Sequence, residues 1–176
     1  MKNIYLLGFM GSGKSYLGKC LSEKFNLNYL DLDEFIEVTM NLSIPQIFNS
    51  IGEEGFRKTE ANLLRKTINF NQNIISCGGG TPCFHDNMKW IKDHGISIYL
   101  KTSEELLFKR LNNQKEGRPL ISSMSDDDLK HFISIKITER EKFYEQADYT
   151  YLQCQDENTP VELEKFIEDK LQRRRS

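Results

Sequence analysis

The sequence predicts an α/β fold built around a parallel β-sheet. Short apolar runs alternate with amphipathic segments along the 176 residues, and this alternation is typical of βαβ units. No repeat, low-complexity stretch or linker divides the chain, whose length suits one domain with one core. We therefore expect a single domain over residues 1–176.

Five apolar runs are the candidate strands of this sheet. They are Asn3–Leu7, Tyr29–Asp31, Asn73–Cys77, Ser97–Lys101 and Tyr149–Gln153. Helix-like segments lie between them, so consecutive strands are expected to run parallel.

Two of the intervening helices show recognisable ends. Ser43 and Gln46 form a capping box, and the apolar stripe that follows runs to Gly52, which we expect to end the helix. A second long helix begins at Ser125, with three aspartates in its positive first turn. Arg140 interrupts the apolar stripe of that helix. Its cation must therefore be paired or face a polar cavity.

The composition bounds the classes of partner and compartment. A net charge of −2 indicates no general affinity for nucleic acid or anionic membrane, and the apolar run at the N-terminus is far too short for a signal sequence or a membrane span. The cysteines show neither a CxxC pair nor the spacing of a disulfide framework, and the histidines are not grouped with them as zinc ligands. The four cysteines are Cys20, Cys77, Cys83 and Cys154. We expect a reduced, cytoplasmic protein.

A phosphate-binding loop follows the first strand. Residues 8–15 read Gly-Phe-Met-Gly-Ser-Gly-Lys-Ser and match the pattern G-x-x-x-x-G-K-[ST] in full. The glycines let backbone N–H groups point at phosphate oxygens, and the positive end of the following helix adds to the attraction. Lys14 would reach the β- and γ-phosphates of a nucleotide, and the Ser15 hydroxyl would bind Mg²⁺.

The loop alone does not separate a kinase from a GTPase or a motor ATPase. The sequence has no N-K-x-D guanine-binding motif and is too short for an assembly ATPase with its added modules. Two acidic residues after the second strand and a polar segment at 112–119, typical of a lid, favour phosphoryl transfer to a small molecule.

The two acidic residues are Asp31 and Asp33, at the edge where ligands bind open α/β sheets. If the strand persists, their spacing of two aims both carboxylates the same way. Asp31 could then hold the Mg²⁺ shell, while Asp33 accepts the proton of an attacking hydroxyl. Either could instead cap the predicted helix Glu34–Met40.

Three consecutive glycines, residues 78–80, follow the third strand. Such a run is costly in a folded chain, so the backbone is expected to need either a close approach or a positive φ. The turn could contact a substrate through its N–H groups, or it could be purely structural.

Three arginines are candidates for binding anions. Arg57 lies one turn before Glu60, whose carboxylate can fix its guanidinium group. Together with Arg140 it could bind one small anion such as a carboxylate, although each could instead belong to a structural ion pair. Arg118 in the polar segment could close over ATP phosphates and offset transition-state charge, although a lone arginine in a loop is usually solvated.

In order and spacing these elements resemble the shikimate kinase family, from Asn3 to about Tyr151. The matching elements are residues 8–15, Asp31-Leu32-Asp33, Phe56-Arg57-Lys58-Thr59-Glu60, Gly78-Gly79-Gly80, Arg118-Pro119-Leu120, and Arg140 followed by Tyr144. Three features depart from the usual pattern: Tyr16 replaces a small Thr or Ser, Thr81-Pro82 follows the glycines, and no residue around Gln155–Pro160 matches the late arginine that many members carry near the adenine.

The resemblance implies a nucleoside-monophosphate-kinase-like, three-layer α/β/α fold with a five-stranded parallel sheet, a substrate-binding helical region at about 33–61 and a lid at about 112–124. It implies Mg-ATP-dependent phosphorylation of the 3-hydroxyl of shikimate, in the chorismate pathway to aromatic amino acids, and we expect a monomer.

The resemblance also implies a set of site residues. The nucleotide would be held by Gly11, Ser12, Gly13, Lys14, Ser15, Tyr16 and Arg118, and Mg²⁺ by Ser15 and Asp31. Shikimate would be bound by Asp33, Arg57, Gly79, Gly80 and Arg140, and the catalytic residues would be Asp33, Lys14 and Arg118.

Two classes of alternative stay open from the sequence: another small P-loop kinase, of the gluconate or nucleoside-monophosphate type, and a non-catalytic nucleotide-binding protein. Gluconate kinase would explain the phosphate-binding loop and a carboxylate site but not the triple glycine with the two aspartates, and a nucleoside monophosphate kinase would need a base pocket and more phosphate-directed arginines. A non-catalytic nucleotide-binding protein is disfavoured because Lys14, Ser15, Asp31 and Asp33 are all present.

Overall fold

The protein is described by a computed structural model that covers residues 2–115, 118, 120–153 and 159–173, with side chains of the last segment described for residues 160–169. Within these ranges one parallel sheet is formed, with the strand order β2-β3-β1-β4-β5. The strands are β1 (Ile4–Leu7), β2 (Asn28–Asp31), β3 (Asn73–Ser76), β4 (Ile96–Thr102) and β5 (Tyr149–Gln153). Every predicted strand is confirmed to within one residue at each end.

Helices cover both faces of the sheet. They are α1 (Lys14–Phe25), α2 (Leu32–Met40), α3 (Ile44–Lys66), α4 (Asn87–His94), α5 (Glu104–Asn112), α6 (Asp126–Tyr144) and α7 (Thr159–Arg173). Alternate residues of β1 point to opposite layers: Tyr5 and Leu7 pack with α2, α3 and α4, whereas Ile4 and Leu6 pack with α1 and α7. This confirms the three-layer α/β/α fold.

A smaller apolar cluster lies beneath the phosphate-binding loop. Phe9 from that loop packs with Leu107 and Leu111 of α5 and with Leu129 and Ile133 of α6. The loop after β1 is therefore anchored to the two helices that flank the predicted lid segment.

The capping predictions for α3 and α6 are confirmed, and Gly52 interrupts α3 where the sequence predicts a helix end. The Ser43 N–H donates to Gln46 Oε1 at 2.8 Å, and the Ser125 hydroxyl accepts from the Asp128 N–H at 3.1 Å. Gly52 has φ 70° and ψ 178°, which breaks the helix, yet helical dihedrals resume directly and continue to Lys66. The second segment of α3 carries the predicted anion-binding arginine.

Among the described residues no helix is both long enough and apolar enough to cross a membrane. Cys20, Cys77 and Cys83 are free thiols. Cys154 lies outside the described residues, as do Gly117 and Pro119 of the predicted lid.

Candidate active site

A cavity of about 490 Å³ opens at the carboxyl ends of β1, β2 and β3. Residues from all three of these strand ends line it, among them Lys14, Ser15, Asp31, Asp33 and Gly79. This is the edge at which open α/β sheets bind ligands. The phosphate-binding loop and the two predicted acidic residues therefore face one common space.

The loop before α1 wraps around the ammonium group of Lys14. Gly11 and Gly13 adopt the left-handed region, with φ of 80° and 85°, which side chains other than glycine rarely occupy. Lys14 Nζ donates to the carbonyl oxygens of Gly8 and Phe9, each at 2.9 Å. Burial lowers the Lys14 pKa to about 8, although the nearby carboxylates, chiefly Asp33, partly oppose the shift. The group is still mostly cationic at neutral pH.

Asp31 is at once a helix cap and a member of the cavity wall. Its Oδ1 accepts from the Asp33 N–H at 3.0 Å, which caps α2, and its Oδ2 accepts from the Ser15 hydroxyl at 2.8 Å and from the Tyr29 hydroxyl at 3.1 Å. The capping alternative is therefore realised without removing the carboxylate from the cavity. Two hard oxygen donors side by side suit a magnesium ion.

Asp33 reaches the cavity from a helix rather than from a strand. The strand ends at Asp31, so the condition under which the spacing would aim both carboxylates the same way is not met. Burial raises the Asp33 pKa to about 6, and the charges of Asp31 and Glu60 add to the shift, while Lys14 and Arg57 oppose it. A carboxylate with this pKa suits general-base chemistry near neutral pH.

The triple glycine provides close approach, not an unusual backbone conformation. None of the three residues has positive φ, so of the two expected reasons for the glycines only the close approach applies. A Cβ on Gly79 would lie 3.3 Å from Arg140 Nη1, and one on Gly80 would lie 2.8 Å from Arg57 Nη2. The Gly79 carbonyl also accepts from the Tyr144 hydroxyl at 2.5 Å. The guanidinium groups of Arg57 and Arg140 therefore pack directly against the backbone of the glycine turn.

Arg57 belongs to a buried ion pair. Its Nη1 donates to Glu60 Oε2 at 2.9 Å, and the other oxygen of this fully buried glutamate accepts from the Thr81 hydroxyl at 2.7 Å. The rings of Phe56 and Phe84 lie 5.0 and 4.5 Å from the guanidinium carbon. The pairing that the sequence suggested is confirmed, and it fixes the guanidinium group beside the glycine turn.

Arg140 has no such partner in the part of the chain that the structure describes, where no carboxylate lies within ion-pair distance of it. Its guanidinium carbon lies 5.7 Å from the centroid of the Phe9 ring. Arg57, Gly80 and Arg140 stand beside the cavity rather than in its wall. A half-buried cation without a neutralising acid next to Gly79 is electrostatically suited to hold an anion.

Arg118 lines the cavity on the side of the predicted lid, where its Nη2 donates to Gln114 Oε1 at 3.0 Å. Tyr16 also lines it and is 65% exposed. Ser12 is fully buried and is not part of the wall.

Sequence reasoning missed Arg110 and Gln153, which line the same cavity. Arg110 Nη1 donates to the Gly11 carbonyl at 3.2 Å, and Gln153 Nε2 donates to the Ser12 carbonyl at 2.9 Å. Both residues, one from α5 and one from the end of β5, therefore brace the phosphate-binding loop. No local pattern marks them, because their partners lie about a hundred residues or more away along the chain.

The comparisons with known proteins agree on one family. A sequence model described as shikimate kinase matches residues 10–172. A shikimate kinase of Azobacteroides pseudotrichonymphae is 44% identical over 152 residues, which are 86% of this chain and 89% of the relative. The crystal structure of shikimate kinase from Bacteroides thetaiotaomicron has a TM-score of 0.91 at 35% identity and covers 97% of this chain and 98% of its own.

A shikimate kinase from Acinetobacter baumannii, solved in complex with shikimate, has a TM-score of 0.86 at 30% identity and covers 98% of this chain and 94% of its own. The family match spans far more than half of the chain, and the identity and coverage of the relatives are high throughout. The chain belongs to the shikimate kinase family.

Proposed function

We propose that this protein transfers the γ-phosphoryl group of ATP to the 3-hydroxyl of shikimate, and that the product enters the chorismate pathway to aromatic amino acids. One observation supports this most directly. A half-buried carboxylate with its pKa raised to about 6, Asp33, lies in one cavity with a complete phosphate-binding loop. Beside that cavity a glycine turn is flanked by Arg57 and Arg140.

The nucleotide is assigned to the phosphate-binding loop and the lid. Backbone N–H groups of the loop and the positive end of α1 would cradle the phosphates, and Lys14 would exchange its two carbonyl acceptors for phosphate oxygens. Arg118 lies on the side of the cavity where a lid over residues 112–124 would close. The residues assigned to ATP are Gly11, Ser12, Gly13, Lys14, Ser15, Tyr16 and Arg118.

We assign Mg²⁺ to Ser15 and Asp31, because their oxygens already lie 2.8 Å apart at the cavity. Magnesium bound with nucleotide phosphates needs only one or two protein oxygens. When bound, the ion would neutralise the negative charge that develops on the phosphates during transfer. Ser15 and Asp31 would fix its place relative to Lys14.

The acceptor is assigned to the region of about 33–61 together with the glycine turn and α6. The carboxylate of shikimate would be bound by Arg57 and Arg140, and its ring would lie against the Gly79 and Gly80 backbone. Asp33 would then take the proton of the 3-hydroxyl as its oxygen bonds to the γ-phosphorus and the bond to the bridging oxygen of ADP breaks. Arg118 and Lys14 would offset the charge of the transferred group.

All of the assigned residues come from one chain, which supports a monomer as the active form. The free thiols Cys20, Cys77 and Cys83 suit the reducing cytoplasm. Gluconate kinase, the nearest alternative from the sequence, gains no support from the relatives named above, which are all shikimate kinases.

The test is coupled ADP release with Mg-ATP, comparing shikimate, gluconate, AMP and no acceptor. We expect turnover with shikimate alone. Turnover with gluconate or AMP would leave the assignment of ATP to the phosphate-binding loop intact but would overturn the assignment of the acceptor. No turnover with any acceptor would favour a non-catalytic nucleotide-binding protein.

A further inference from the structure

The carboxylate of Asp31 is held by three donors from three parts of the chain. The Asp33 N–H reaches Oδ1 at 3.0 Å, whereas the hydroxyls of Ser15 and Tyr29 both reach Oδ2, at 2.8 and 3.1 Å. Of these donors the backbone N–H belongs to the helix cap, and Ser15 is the assigned metal ligand. The role of the third donor, Tyr29, is not explained by capping or by the phosphate-binding loop.

The Tyr29 ring is fixed between β2 and α1. A Cβ on Gly18 of α1 would lie only 2.6 Å from Tyr29 Cε2, so the ring edge occupies the space where a side chain would otherwise project. On one face of the ring, Lys19 Nζ lies 5.6 Å from the centroid. The phenol therefore has little freedom to leave Asp31. A phenylalanine would fill the same space but would lack the hydroxyl.

We propose that Tyr29 is a positioning residue of the Ser15–Asp31 metal site, whose hydroxyl holds Asp31 Oδ2 in the orientation that faces the metal and the ATP phosphates. This inference rests on the proposed assignment of Mg²⁺ to Ser15 and Asp31. A carboxylate with a free terminal torsion samples many orientations, and a donor that limits this rotation lowers the entropic cost of binding the ion. Partners that orient metal ligands in this way typically change metal affinity by about 10- to 100-fold.

Tyr151 supplies a matched control. It too is a tyrosine whose hydroxyl meets a carboxylate, that of Glu162 at 3.2 Å, but it lies on β5 and packs against α7. Tyr151→Phe removes a comparable hydrogen bond away from the cavity. Any effect shared by Tyr29→Phe and Tyr151→Phe would be structural and would not concern the metal.

The experiment measures Mn²⁺ binding to the protein–ADP complex without acceptor, by the electron paramagnetic resonance signal of free Mn²⁺. For Tyr29→Phe we expect a Kd for Mn²⁺ about tenfold higher than that of the unmodified protein. The Kd for ADP in the presence of a chelator and the midpoint of thermal unfolding should match those of Tyr151→Phe. Unchanged or tighter Mn²⁺ binding would overturn the proposal, as would an equal loss of metal-free ADP affinity.

Asp31→Asn separates this inference from the assignment on which it rests. If Asp31→Asn leaves Mn²⁺ binding intact, the Ser15–Asp31 metal site itself is wrong. If Asp31→Asn weakens Mn²⁺ binding and Tyr29→Phe does not, the metal site stands and only the positioning role of Tyr29 is lost.

Discussion

The backbone of Gly80 lies directly against the guanidinium group of Arg57. A Cβ at Gly80 would come within 2.8 Å of Arg57 Nη2 and 2.9 Å of Nη1. Gly80 itself has φ −93° and ψ −15°, a conformation that other residues also adopt. Glycine is therefore needed here for the space that it leaves to the arginine, and not for its backbone freedom.

Gly80→Ala should impair shikimate binding without disturbing ATP. The added methyl group would displace the Arg57 guanidinium, and a displacement of about 1 Å in a binding site can cost up to about a hundredfold in rate. We expect the KM for shikimate to rise about tenfold or more, with the KM for ATP unchanged, in steady-state assays. Gly79→Ala, whose Cβ would lie 3.3 Å from Arg140 Nη1, should have a smaller effect. A normal KM for shikimate in Gly80→Ala would contradict this role.

Substituting Arg57 or Arg140 should have similar effects on shikimate affinity but different effects on the free energy of unfolding. Removing either by substitution with alanine should weaken shikimate by about 1.5–3 kcal/mol, the usual value of a charged hydrogen bond. Arg57→Ala also leaves the buried carboxylate of Glu60 without its cation, which should lower the free energy of unfolding by about 3 kcal/mol. Arg140→Ala, which breaks no ion pair of the described residues, should stay close to the unmodified protein in urea unfolding.

Glu60→Gln in the Arg57→Ala background provides the control for that difference. It removes the unpaired buried charge while an amide oxygen can still accept from the Thr81 hydroxyl. The double variant should regain most of the lost stability but none of the shikimate affinity. If stability were not regained, the buried charge would not be the cause of the loss.

Asp33→Asn should stabilise the protein while abolishing turnover. Because the pKa of Asp33 is raised from 3.8 to about 6 in the fold, the folded state binds the proton more tightly. The free energy of unfolding therefore falls as the pH rises from about 4 through 6, by up to about 3 kcal/mol. Asparagine carries no charge, so urea unfolding should find the variant more stable at pH 8 and nearly unchanged below pH 4. If Asp33→Asn is no more stable than the unmodified protein at pH 8, ionisation of Asp33 does not destabilise the fold.

The raised pKa of Asp33 also predicts how activity depends on pH. Asp33 can accept the proton of the hydroxyl only when ionised, so kcat/KM for shikimate should fall tenfold for each pH unit below about 6. The measurement is a profile of kcat/KM from pH 5 to 8 at saturating Mg-ATP. A profile that stays flat to pH 5 would be incompatible with Asp33 as the base that accepts the proton of the hydroxyl.

The helices, the strands and the residues of the local motifs could be predicted from the sequence. Residues whose roles depend on contacts with distant parts of the chain could not. Strand limits follow from apolar runs, and the phosphate-binding loop follows from its own pattern. Gly52 interrupts α3 as its sequence signal predicts, and a second helical segment then continues to Lys66. The sequence predicted that the glycine turn needs a close approach by another group. It did not predict that the group at Gly80 is the guanidinium of Arg57, because the two residues are far apart along the chain.

Gln153 is a residue that only the fold reveals. It lies at the end of β5 and is 3% exposed. Its Nε2 donates to the Ser12 carbonyl at 2.9 Å and to Thr102 Oγ1 at 3.1 Å, and its Oε1 accepts from Arg110 Nη1 at 3.3 Å. Because Arg110 also donates to the Gly11 carbonyl, the pair holds two consecutive peptides of the phosphate-binding loop.

Gln153→Leu should therefore loosen the loop and raise the KM for ATP about tenfold, since an unsatisfied buried carbonyl costs about 1–3 kcal/mol. The KM for shikimate should not change, because Arg57 and Arg140 do not contact Gln153. Gln146→Leu is the matched control: it removes an exposed glutamine that donates to the Lys142 carbonyl at 2.9 Å, and it should leave both KM values unchanged. A loss of shikimate affinity equal to that of ATP would mean that Gln153 supports the fold in general and not the nucleotide site.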